Sequence, residues 1–74
     1  MARIEVKSEI AGKVWKIEAK PGDTLDEDDA IVVLESMKME IPVPAPAKCR
    51  VIEISVAEED AVAEGQVVAV IEKV

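Results

Sequence analysis

Ile31-Val32-Val33-Leu34-Glu35-Ser36-Met37-Lys38-Met39-Glu40-Ile41-Pro42-Val43-Pro44 can be read in two ways. With the acidic run Asp26-Glu27-Asp28-Asp29 ahead of it, the stretch from Ala30 resembles a capped helix whose Ile31, Leu34 and Ile41 share a face. By side-chain type it is instead an apolar, mostly β-branched run, a break, and a second run interrupted by prolines, which predicts strand, turn and strand. Propensity alone favours the helix.

The remainder of the chain decides for strands. At an offset of 37 residues, Ile4, Val6, Val14, Ile17, Asp23 and Glu35 fall on identical residues at Ile41, Val43, Val51, Ile54, Asp60 and Glu72. Leu25, Ile31, Val33 and Leu34 fall on Val62, Val68, Val70 and Ile71, so the apolar pattern is kept. The counterpart of the ambiguous stretch, Glu64 to Val74, holds Gly65 and then a β-branched run, which a helix tolerates poorly. Short apolar runs at Val14 to Ala19, Val51 to Val56 and Val67 to Ile71 alternate with turns at Lys20-Pro21-Gly22-Asp23, Ala57-Glu58-Glu59-Asp60 and Glu64-Gly65. In the first of these, Pro21 presets φ and Gly22 supplies a positive φ. Turns at about ten-residue spacing predict an all-β sandwich or barrel, and the repeat predicts two half-units related by a pseudo-two-fold axis. Pro42, Pro44 and Pro46 remove N-H donors from one side of their strand, which puts that strand at a sheet edge.

Composition narrows the function. The 74 residues have room for a single domain, 1-74. A formal charge of -7 argues against a nucleic-acid partner. The absence of histidine removes Ser-His-Asp and Cys-His catalysis and imidazole metal sites, so no catalytic residue and no metal ligand is assigned. Cys49 stands alone and reads as a partly buried small residue. No apolar run is long enough for a membrane span, and Met1-Ala2-Arg3-Ile4-Glu5 lacks a leader's apolar stretch, so a cytoplasmic protein with no membrane partner is expected.

Chemistry concentrates between the strand ending near Glu35 and the one beginning near Ile41. A tight hairpin needs a positive φ at one or both central residues and normally selects Asn-Gly or Gly-X. Here it receives Met37-Lys38, with Met39 following, and large apolar side chains at a solvent-facing turn waste burial. A broken local rule without structural gain points to a functional site, although a surface lysine between two rim methionines fits the periodicity equally well. The repeat offers no second lysine of this kind, because the counterpart of the turn is the chain end at Val74.

Glu35-Ser36-Met37-Lys38-Met39-Glu40 resembles the biotin attachment motif, usually Ala-Met-Lys-Met, of the biotin carboxyl carrier family. Ala11-Gly12-Lys13-Val14, Pro21-Gly22-Asp23 and Glu64-Gly65-Gln66 resemble that family's recurring turns, so the likeness runs along essentially the whole chain. The resemblance implies a flattened sandwich of two four-stranded sheets, a barrel-sandwich hybrid, with Lys38 at the tip of the central hairpin. It implies biotin as cofactor, covalently held on Lys38, and a biotin protein ligase, a biotin carboxylase and a carboxyltransferase as partners. The chain would then be a non-catalytic carrier, with Glu35, Ser36, Met37, Met39 and Glu40 as recognition residues. With an unperturbed lysine amine, fewer than about one molecule in a thousand carries the free base at neutral pH, so an activated acyl donor must come from outside.

Several positions depart from the family. Ser36 replaces the usual Ala; Asp28, Cys49 and Glu59 stand where turn glycines are common; and no counterpart of the thumb insertion of enteric-type members is present. Lipoyl domains share the implied fold, but their lysine usually follows Asp, whereas Met37 and Met39 are biotin-type neighbours. Two other readings are a plain interaction module in which Lys38 is unmodified and Pro42 to Pro46 binds a partner, and a metal loop at Asp26 to Asp29. The latter lacks the glycine and terminal Glu spacing of a calcium hand.

Overall fold

A computed structural model describes residues 3–74; Met1 and Ala2, part of the segment read above for a leader, lie outside the described residues. Eight strands follow in order: β1 Arg3–Lys7, β2 Gly12–Ile17, β3 Thr24–Leu25, β4 Ala30–Ser36, β5 Met39–Pro44, β6 Cys49–Ile54, β7 Ala61–Val62 and β8 Val67–Lys73. The ambiguous stretch is β4, a two-residue turn and β5, as the repeat required. The pairing extends further than the apolar pattern suggested, through Ser36 and from Met39.

The strands form two antiparallel four-stranded sheets, ordered β1-β8-β6-β3 and β5-β4-β2-β7. Moving each strand to its repeat counterpart converts one order into the other, so the pseudo-two-fold axis exchanges the sheets. Irregularities in register obey the same symmetry. Trp15 is skipped between β2 and β4, and its counterpart Ile52 between β6 and β8. Ile31 is skipped between β4 and β5, and its counterpart Val68 between β8 and β1.

Both members of each repeat pair, Val6 and Val43, Val14 and Val51, Ile31 and Val68, and Leu34 and Ile71, are buried in one core. Strand alternation sends the intervening polar residues outward. The tight turns are built twice. In one, the Gly22 N-H donates to the Val51 carbonyl and the Val51 N-H to the Asp23 carbonyl. In its counterpart, the Glu59 N-H donates to the Val14 carbonyl and the Val14 N-H to the Asp60 carbonyl. Each half therefore closes its turn against a strand of the other half.

β5 is an edge strand, as its prolines demanded, with Pro42 and Pro44 inside it. Pro46 lies beyond its end. Three other expectations are corrected. Cys49 does not occupy a positive-φ turn; it opens β6 and is fully buried rather than partly so. Asp28 and Glu59 do take positive φ, at 73° and 76°. Ala11-Gly12-Lys13-Val14 is not a turn either, since Gly12 to Val14 already belong to β2. Among the described residues, no helix is long and apolar enough to cross a membrane.

Candidate functional site

β4 and β5 are joined by Met37 and Lys38 alone, with Ser36 opposite Met39 at the mouth of the turn. Both turn residues have positive φ, 53° at Met37 and 64° at Lys38, the signature of a type I′ hairpin turn. That turn suits the right-handed twist of the strands but places two Cβ-bearing side chains in the left-handed region, at a cost on the order of 1 kcal/mol each. The strands impose it: β4 is buried at Ile31, Val32 and Leu34, and a one-residue slip would turn that face to water.

The tip is open to solvent. Met37 is 90% exposed and Met39 62%, and Lys38 is exposed too. Lys38 makes no ion pair among the described residues. An exposed primary amine at the end of a short rigid hairpin is sterically suited to acylation, with room for a long substituent. Ser36 is half-buried at the base, and Glu35 and Glu40 are exposed directly opposite one another.

Two facing carboxylates on neighbouring strands repel. In the other half the corresponding carboxylate is neutralised: Arg50 on β6 reaches Glu72 across the ladder at 3.1 Å, and the Glu72 side chain is only 13% exposed. Lys13 is the counterpart of Arg50 and lies opposite Glu35, yet its ammonium turns away to Glu59 at 2.6 Å. The hydrogen bond and charge of Glu59 raise the Lys13 pKa. Glu35 is left without an ion pair among the described residues. The matching of Lys13 with Arg50 and of Glu35 with Glu72 was available in the repeat, but the diverted ammonium was not.

Asp26 to Asp29 forms a hydrogen-bonded turn in which the Asp26 N-H donates to Asp29 Oδ2 at 3.0 Å. The same bond recurs from the Ala63 N-H to Gln66 Oε1, where no acidic cluster exists, so the device belongs to the fold. Among the described residues, no group of three or more His, Cys, Asp or Glu side chains is placed to hold a metal ion.

Comparison with known proteins agrees with this fold. The family model described as "Biotin-requiring enzyme", covering biotin and lipoyl domains, matches residues 3–71. The chain belongs to that family. Among biotin/lipoyl relatives, the biotin/lipoyl attachment protein of Bacillus subtilis is 42% identical over 84% of this chain and 85% of its own length. The biotinylated protein TB7.3 homolog of Mycobacterium leprae is 40% identical over 90% of this chain and 94% of its own. Among solved structures, a single-chain, multi-domain long-chain acyl-CoA carboxylase superposes with a TM-score of 0.92 at 26% identity. The Kluyveromyces lactis urea carboxylase does so at 0.90 and 34%. This biotin/lipoyl chain matches 7% of the first and 6% of the second, one small part of each larger enzyme.

Proposed function

We propose that residues 1-74 act as one biotin carboxyl carrier domain in which Lys38 is the attachment point of biotin. The observation that carries the reading is the turn itself. Two consecutive non-glycine residues are held at positive φ with no burial in return, and one of them is the unpaired amine. Backbone strain of this kind persists where function retains it.

The deprotonated Nζ of Lys38 attacks the acyl carbon of an adenylated biotin supplied by a biotin protein ligase. A C–N bond forms, the bond from the acyl carbon to the phosphate oxygen breaks, AMP leaves and the amine proton passes to solvent. Loss of one positive charge takes the formal net from -7 to -8. Lys38 would hold the biotin, which would supply a carrier for carboxylate between a biotin carboxylase and a carboxyltransferase. The chain supplies the tether, converting a bimolecular encounter into a local one at an effective concentration of order mM. The chain has no histidine to act as a general base in the transfer.

Glu35 and Glu40 form the acidic rim by which the ligase recognises the hairpin, and the diversion of Lys13 to Glu59 keeps Glu35 available. Ser36 preserves the small side chain required at the half-buried base. Met37 and Met39 present soft, adaptable contact surface to partner enzymes. Replacing both by Leu is expected to slow carboxyl transfer while leaving biotin attachment in place; unchanged transfer rates would assign them to hairpin packing alone.

The test is intact mass after coexpression with a biotin protein ligase. Wild type should gain one biotin and Lys38→Arg none; an unmodified wild type contradicts the proposal. A lipoyl group in place of biotin is the second reading, since the name of the Bacillus subtilis relative covers both groups. The mass added distinguishes the two.

A further inference from the structure

Because the two halves repeat one another down to their bulges, a departure from the repeat calls for a local reason. Gly12 and Cys49 occupy equivalent places at the starts of β2 and β6. Cys49 pairs with Lys73 on β8, and its side chain is fully buried. At the hairpin end, the β2–β4 ladder reaches only Lys13 opposite Glu35; Gly12 keeps the pairing with Val62 of β7 that matches Cys49 with Leu25 of β3, but has no partner on β4 to match Lys73.

A Cβ on Gly12 would lie 2.8 Å from the carbonyl oxygen of Glu35 and 3.4 Å from the Cβ of Ser36. The oxygen belongs to the backbone of a paired strand, so it has no rotamer by which to yield. Conformational freedom is not the reason for this glycine, since the glycines at positive φ are Gly22 and Gly65. What the site requires is the missing side chain, a close approach of one backbone to another. The peptide approached, Glu35–Ser36, is the last one before the Met37-Lys38 turn.

We infer that Gly12 is a positioning residue for the lysine hairpin: its bare backbone lets the start of β2 lie against the Glu35–Ser36 peptide and fixes the root from which Lys38 is presented. The inference rests on Lys38 being the attachment point. A side chain at position 12 displaces Ser36, and with it the Ser36–Met39 pair that sets the aim of the turn. An enzyme that reads the tip is sensitive to such a shift, because misplacement by about 1 Å can cost on the order of a hundredfold in rate.

The experiment is steady-state kinetics of a biotin protein ligase with the full chain as substrate, alongside thermal unfolding and amide NMR shifts. Gly12→Ala is expected to raise KM for the carrier roughly tenfold or more with little change in kcat, within the bound set by misplacement. Its shift changes should centre on Ser36 to Met39. Ile71→Val, a buried change in the other half, provides the comparison: it should lower the thermal midpoint and keep the wild-type KM. If Gly12→Ala fails to fold, Ser36→Gly loosens the same peptide without a clash and is expected to raise KM likewise. A wild-type KM in whichever of these two variants folds, or an equal rise in Ile71→Val, overturns the positioning role. A wild type that accepts no biotin overturns the reading beneath it.

Discussion

Glu35 and Glu72 are the same residue at the same point of the repeat, and their surroundings give them different work. Glu72 is nearly covered and held by Arg50, whereas Glu35 stands beside the hairpin with its cross-strand cation turned elsewhere. Glu35→Lys is therefore expected to raise the ligase KM roughly tenfold, as loss of a complementary rim charge slows encounter. Glu72→Lys should leave that KM unchanged and lower stability by roughly 1 kcal/mol through the lost pair and the repulsion from Arg50. Equal effects of the two on KM would remove the distinction. Cys49 gives a pH prediction. Burial pushes its thiol pKa up, and the charge of Asp29 adds to the rise. Because the folded value lies above the unfolded one, this contribution to stability is complete below about pH 8.5, the unfolded thiol's range, and is lost as pH climbs through the folded value. The unfolding midpoint of wild type should fall more steeply above about pH 8.5 than that of Cys49→Ala. Parallel slopes would contradict the assignment.

At the scale of elements, the turns carry the strain. Gly22 and Glu59 are equivalents, as are Asp28 and Gly65, and all four have positive φ. Each pair thus keeps one glycine and one residue with a Cβ in the same left-handed conformation. Glu59→Gly should stabilise the fold by roughly 0.5–1 kcal/mol in urea titration, since the exposed ion pair it gives up to Lys13 is worth little. A lower midpoint would mean that the pair matters more than the backbone. Pro21-Gly22 announced its turn in the sequence, and Met37-Lys38 announced a misfit. Cys49 departs from expectation because the family resemblance puts a turn glycine at that point, whereas the residue opens β6 with its side chain buried. β4 and β5 run past their apolar residues, to Ser36 and from Met39, because cross-strand pairing continues after the apolar residues stop.

For the molecule as a whole, the repeat was plain in the sequence, but not the sheet each strand would join. Each sheet takes two strands from either half, and each half closes its turn on the other's Val14 or Val51. Such partnership rests on long-range pairing, which local propensity does not encode. A consequence is that neither half has a core of its own. Unfolding in urea followed by Trp15 fluorescence and by far-UV circular dichroism should give coincident transitions. Separated midpoints would indicate independent halves. The same architecture leaves one strained two-residue turn to present an amine, and the account stands on that amine. Incubation of the chain with biotin, ATP and a biotin protein ligase, followed by tandem mass spectrometry of its peptides, tests it most directly. Biotin on Lys38, and on none of Lys7, Lys13, Lys16, Lys20, Lys48 or Lys73, is the predicted result; biotin on any of those six in its place, or on no lysine, would contradict it.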